Sequence, residues 1–259
     1  MVRKERRERN EESPKRRSQS PENGQKIEFR ELIKIRRFLF GLLTQTLVMI
    51  SLNFLAPSAA VHLKSYGFSP VFIGFAFAVP AICYAVTAPL LYLFTDRMPK
   101  RAVMLIGVLM CALGMFFVGT SKSLGLENNP EMIITGLIIL GISWGIMSVP
   151  VMPEMQEAVE QREDLDYDEE ELDNFISGIF VVATGVGEAI GPMLSSILYD
   201  AYGFREAADI FAFMILIYGI LYFFFVGHIR MFFKRKSPRS PTSKAAPKHI
   251  EFEDTVTAD

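Results

Sequence analysis

Glu188 lies in the stretch SGIFVVATGVGEAIGPMLSS, Ser177 to Ser196, where every other residue is apolar, small or neutral. A lone carboxylate in such surroundings has two chemistries open to it. Ionised, it holds the cationic group of a ligand; gaining and losing a proton in turn, it carries that proton. At ~100° per residue, Ser177, Thr184, Glu188 and Ser195 fall in one narrow stripe with an apolar face opposite. That stripe predicts that Glu188 faces the interior of a helix bundle or a wet cavity. A charge at the middle of a bilayer costs about 3 kcal/mol on insertion scales, so an acid in a membrane span is read as functional by default. The competing reading is a protonated Glu that bonds a neighbouring helix as structural glue. A nucleotide-binding reading of GVGEAIG fails: its Gly-x-Gly-x-x-x-Gly spacing is one residue too long, and no strand–turn–helix unit surrounds it.

Other spans offer polar companions to Glu188. Thr46 and Asn53 lie seven residues apart, hence on one face of a helix, with Gln45 close by. Gly141, Gly145 and Ser148 make a face of small residues, and Trp144 stands beside it. Trp144 is the single Trp and lies mid-span, away from the interfacial belt where Trp usually sits. Its ring either stacks on a cation or fills the core. Helix packing is the plainer role for each of these groups taken singly. A second charged group, TDRMPKR, joins two spans through a very short loop. Asp96 and Arg97 close one span; Lys100 and Arg101 open the next. Basic residues there suit an anchor on the cytosolic side.

These residues need elements to hold them, and the charge distribution outlines those elements. The 259 residues carry a net charge of only −2, so overall charge does not mark a nucleic-acid binder. Half the residues are hydrophobic, and the charges gather at both ends and in one central block. Between them lie six runs of ~20 or more residues, long enough to cross the hydrocarbon: Phe38 to Leu63, Pro70 to Thr95, Ala102 to Ser121, Met132 to Pro153, Phe175 to Tyr199 and Ala207 to Gly227. Backbone groups in lipid must pair internally, and the runs lack the alternation of a barrel strand, so all six are read as helices. The sequence thus divides into a basic, mostly disordered tail over 1–37 ending in a short helix near IEFRELIKIRR, a membrane unit over 38–229, and a second disordered basic tail over 230–259. The acidic block 154–174 is read as a loop.

Six spans put both tails on one side. Lys34, Arg36, Arg37, Arg230, Lys234, Arg235 and Lys236 flank the first and last spans; Arg97, Lys100 and Arg101 lie on the same side, against Lys64, Lys122 and Arg205 on the other. The excess of Lys and Arg assigns both termini to the cytosol. Cys83 and Cys111 sit inside apolar runs and read as small buried hydrophobes, and His62, His228 and His249 form no ligand pattern. Ser13, Ser20, Ser237 and Ser240 precede prolines in the basic tails, where phosphorylation would lower the local positive charge.

The stretch YGFSPVFIGFAFAVPAICYAVTAPLLYLFTDRMPKR, Tyr66 to Arg101, resembles the start of a half-domain in the major facilitator superfamily. In that family a Gly-x-x-x-Asp-Arg-x-Gly-Arg-Arg/Lys loop controls opening toward the cytosol. Tyr92 stands here for its first Gly and Pro99 departs from its second. The resemblance implies a gate formed by Asp96, Arg97, Lys100 and Arg101. Gly178, Gly187 and Gly191-Pro192, followed by Ser195-Ser196, look like the Gly-Pro motif of that superfamily's exchangers, and imply a bendable, closely packed helix. GISWGIMSVPVMPEM and GPMLSSILYDAYGF are similar to the vesicular amine branch, most of all to its polyamine-type members, over roughly Leu42 to Phe225.

The implied fold is an all-α membrane protein whose six transmembrane helices form one half-domain of a major-facilitator-type transporter, spans seven to twelve of twelve. The implied function is proton-coupled alternating access for a small organic, cationic solute, with Glu188, Thr184, Asn53 and Trp144 toward the solute or proton. The partners are that solute, protons, the lipid bilayer, and either a missing N-terminal half or a homodimer partner. The chain reads either as a piece of a twelve-helix protein or as a natural half that dimerises. The rival reading is a non-transporting half-domain that acts as a binding partner or regulator. No nucleophile–base pair or metal cluster is visible, so no enzyme activity and no cofactor are implied.

Overall fold

A computed structural model describes residues 29–95, 99–127, 129–162 and 169–226. Every element among them is an α-helix: α1 Phe29–Lys34, α2 Arg36–Ser65, α3 Pro70–Thr95, α4 Lys100–Val118, α5 Pro130–Ser148, α6 Val151–Glu160, α7 Glu169–Tyr202 and α8 Phe204–Phe225. Six rods are long and apolar enough to cross a bilayer: α2, α3, α4, α5 continued by α6, α7 and α8. The chain is a multi-pass membrane protein. Its helices follow from the medium: lipid supplies no partner for a backbone N–H or C=O, so each segment must satisfy its own.

The number of spans matches the sequence reading; the ends differ. The fourth span is broken, with α5 stopping at Ser148 and α6 restarting at Val151. Pro150, between them, offers no N–H and clashes with the preceding turn. The acidic block is not a loop throughout: α6 runs to Glu160 and α7 begins at Glu169. The reason is an apolar face hidden among the acids, since Met155, Ala158 and Val159 are buried. Acidic side chains at the start of α7 also suit the positive end of a helix dipole. The first tail likewise does not stay outside the fold to residue 37. Leu32 of α1 is completely buried, and Ile35 nearly so. Residues 1–28 and 230–259, with Asp96, Arg97 and the four Ser-Pro serines, lie outside the described residues.

α2, α4 and α7 begin at the end where α6 and α8 finish; this is the charged end. The opposite end carries the turns at 66–69 and 119–127 and Gly203. There Arg205 of α8 stitches down the second turn: Nε donates to Thr120 O at 2.9 Å and Nη2 to Leu126 O at 2.9 Å. Thr120 needs such support, because its φ of 45° is one a β-branched residue rarely adopts. Ser123 Oγ donates to Asp209 Oδ2 at 3.1 Å, Lys122 pairs with Glu206, and His62 stacks on Phe204 at 4.3 Å.

α5 lies between α3 and α4, and small residues let it. A Cβ on Gly136 would press on Val118 of α4, and one on Gly141 would meet Pro80 of α3. Close backbone approach is how helices pack where no hydrophobic effect drives them together. α3 and α7 are the outlying helices. Only 11% of the apolar window of the α3 span and 22% of that of α7 are buried, against 50% for α4. At the charged end α6 leans on α7, where Gln156 Nε2 donates to Asp173 Oδ1 at 2.9 Å.

Candidate functional site

α7 meets α2 along Ala183, Gly187, Gly191 and Ser195, all buried and four residues apart. A Cβ on Gly187 would stand 2.6 Å from Met49 Cβ and 2.6 Å from Thr46 O; one on Gly191 would stand 2.8 Å from Asn53 Cβ and 2.9 Å from Ile50 O. α7 continues through Pro192, which lies inside it. Gly178 does not belong with these glycines. It is exposed, with open space where a Cβ would go. The reason is angular: nine residues separate it from Gly187, which at ~100° each is half a circle.

The polar stripe is also divided by the structure. Thr184 and Ser195 are turned toward the α2 contact, whereas Glu188 is exposed on the outside of the six-helix unit. It does not face the interior of this bundle. Residues four apart drift by about 40° around an α-helix, so a seam built on 183, 187, 191 and 195 winds around α7. The stripe and the seam cross, and at mid-height Glu188 falls outside the contact.

On the α2 side of the seam, Thr46 Oγ1 donates to Ala183 O at 3.2 Å, and half-buried Asn53 donates from Nδ2 to Met49 O at 3.0 Å. Gln45 is almost fully buried and reaches two helices at once. Its Nε2 donates to Thr184 Oγ1 at 3.2 Å, and its Oε1 accepts from Ser148 Oγ at 3.2 Å. Next to Gln45 in the chain, Thr44 Oγ1 and the Tyr218 hydroxyl share a hydrogen bond of 2.6 Å. Trp144 takes the core-filling role. It is buried among Phe54, Met115 and Leu140, and its indole N–H donates to Ser51 Oγ at 2.7 Å. Nothing of its ring is left for a solute in this arrangement. Trp144→Phe is expected to lower stability by about 1 kcal/mol, the worth of one hydrogen bond; thermal unfolding in detergent measures it.

At the charged end the structure assembles a cluster that the sequence did not disclose. Glu154 of α6 is 3% exposed. Its Oε1 accepts from Arg37 Nε at 2.8 Å and from Arg101 Nε at 2.8 Å, with Arg37 Nη2 at 2.7 Å. Arg37 Nη1 also donates to Gln161 Oε1, and Lys100 Nζ lies 3.2 Å from Glu157 Oε2 while donating to Pro153 O at 3.3 Å. The first turns of α2 and α4 are thereby tied to α6. Lys100 and Arg101 of the expected gate are thus brought together, while Asp96 and Arg97 lie outside the described residues. From the sequence Arg37 counts only among the basic residues flanking the first span, and Glu154 only as a member of the acidic block. The signal that marks Glu154 is periodic: Glu154, Glu157 and Gln161 share one face of a helix at i, i+3 and i+7. A carboxylate that neutralises two guanidinium groups out of water makes a strong tie, because parting any member strands a desolvated charge.

The family model of the Major Facilitator Superfamily matches residues 5–167 and 41–255 of the chain. Similar proteins include the MFS-type transporter SLC18B1 of Homo sapiens, 27% identical over 173 residues, which are 65% of this chain and 37% of that protein. The proteins of the same name from Rattus norvegicus and Mus musculus are each 26% identical over 185 residues, 70% of this chain and 40% of theirs. The chain therefore spans about two fifths of the length of the curated relatives it matches. Six apolar helices packed through small residues, tied at one end by a shared carboxylate, agree with that match, and the chain belongs to the Major Facilitator Superfamily, a family of membrane transporters rather than enzymes.

Proposed function

We propose that this six-helix unit is one half of a secondary active transporter that exchanges protons for a small organic, cationic solute by alternating access. The observation that carries the proposal is the placement of Glu188: an acid midway along an apolar rod, facing outward from the unit, on one of its two outlying helices. A second six-helix unit covering α3 and α7 would turn that outward face into the wall of a central cavity. In transporters built of repeats, the substrate site lies at mid-membrane between two such units, and rocking of one against the other exposes it alternately. The second unit is either another segment of a longer protein or a second copy. Thr184 and Asn53 line the same seam and supply polar groups near the acid. The Arg37–Glu154–Arg101 cluster, with Lys100 and the Asp96–Arg97 pair, latches the charged end, and the Lys and Arg excess supports a cytosolic side for that end and for both termini.

The test is uptake into proteoliposomes by the assembly isolated from membranes, with an acidic interior and labelled spermidine and serotonin as probes. Uptake is expected to vanish when the gradient is dissipated. Glu188→Gln is expected to lower it about a hundredfold or more, the scale seen when a positioned proton-transfer group is removed. Undiminished gradient-driven uptake by Glu188→Gln rules out the role given to this acid. A well-assembled wild type that binds amines yet moves neither probe favours a binding or regulatory half-domain instead.

A further inference from the structure

Gln45 is 1% exposed, at the junction of α2, α5 and α7. A buried primary amide is expensive unless both of its ends are satisfied. Here each end is used on a different helix. The Ser148 hydroxyl donates to Oε1, and Nε2 donates to Thr184 Oγ1, whose own hydroxyl donates onward to Phe180 O at 3.0 Å. The four groups therefore form one directed chain from α5 through α2 to α7. Both termini of the chain are notable. Thr184 is one helical turn before Glu188, and Ser148 is the last residue of α5 before the break at Pro150. Immediately beyond that break, α6 presents Glu154 to Arg37 and Arg101.

We propose that Gln45 is a positioning residue, which keeps the turn of α7 bearing Glu188 in register with the α5–α6 joint and so links the state of the acid to the ion pairs at the charged end. Its amide suits this task because it holds a donating end and an accepting end in one fixed plane. Sliding α7 against α2 breaks the bond to Thr184 and frees the amide to turn, which disturbs Ser148 beside the joint. A leucine of similar bulk fills the space and transmits nothing. The inference rests on the reading of Glu188 as the working acid, but its measurement needs no transport.

The experiment is amide hydrogen exchange over residues 146–155, with the full chain in lipid nanodiscs. Four proteins are compared: wild type, Glu188→Gln, Gln45→Leu and the double variant. Glu188→Gln alone is expected to change exchange at the joint about threefold or more, the lower range of coupling within one hydrogen-bonded network. In the Gln45→Leu background that change is expected to disappear. Thr184→Val, which keeps the shape and removes the acceptor, is expected to abolish it too, and serves if Gln45→Leu does not fold. An effect of Glu188→Gln that persists in both backgrounds, or one that is absent from the wild-type background, overturns the proposal. Undiminished uptake by Glu188→Gln with intact exchange coupling is failure of the transport reading alone; lost uptake without exchange coupling is failure of this one alone.

Discussion

Glu154→Ala is expected to be the most damaging single substitution at the charged end. It removes the one carboxylate that Arg37 and Arg101 share and leaves two largely buried guanidinium groups facing each other, each with a side chain only 15% exposed. Breaking a buried ion pair from one side costs roughly 3–5 kcal/mol. For a chain of this size that is a fall of roughly 6–15 °C in the unfolding midpoint, measurable by intrinsic fluorescence in detergent. Glu154→Gln keeps an acceptor but not the charge, so it is expected to fall between. The triple change Arg37→Met, Arg101→Met, Glu154→Leu removes all three charges together and is expected to recover most of the loss, because a packed apolar cluster often replaces a buried ionic one without penalty. A midpoint for Glu154→Ala within one or two degrees of wild type would mean that the cluster is solvated and holds nothing.

The same substitution at two glycines of α7 should act in opposite directions. Gly187→Ala places a methyl 2.6 Å from the backbone oxygen of Thr46 and 2.6 Å from Met49 Cβ. A backbone oxygen cannot rotate aside, so α2 and α7 must part. Overpacking of this kind costs about 1–3 kcal/mol, and the Thr46–Ala183 and Gln45–Thr184 bonds that span the seam weaken with it. Gly178→Ala meets nothing within 4 Å and gains about 0.5–1 kcal/mol from better helix propensity. Unfolding midpoints of the two variants measured side by side settle the point. Equal and small effects would show that α7 does not lie against α2 along Gly187.

The contrast between these glycines marks how far the residue pattern alone reaches. Six spans are legible because a long apolar run in lipid has one solution, a helix, and its length is fixed by the bilayer. Close packing at Gly187 and Gly191 is legible because small residues four apart share a face. Gly178 belongs to the opposite face, which angle alone reveals. A helical wheel draws the stripe straight and puts Glu188 inside; the contact with α2 winds around α7, and where the two cross depends on the partner helix. Glu154 escaped notice for a different reason. It sits among so many acids that its burial depends on Arg37, 117 residues earlier in the chain, and Arg101, 53 residues earlier. The spacing of Glu154, Glu157 and Gln161 marks a shared helix face, but nothing local in the sequence names the arginines that meet it. Trp144 was ambiguous in kind, since a solitary indole serves a cation or a core equally well until its N–H is seen on Ser51.

The break at Pro150 and the early start of α7 have a practical consequence. α7 alone has 34 residues, about 50 Å at 1.5 Å per residue, whereas hydrocarbon fills about 30 Å. The acidic first turns of α7, tied to α6 through Gln156 and Asp173, make a post at the charged end that the hydrocarbon need not cover. Small transporters are hard to image as single particles because the surrounding micelle hides their orientation. A nanobody raised against that post would give such particles a fixed landmark while leaving the greasy belt untouched.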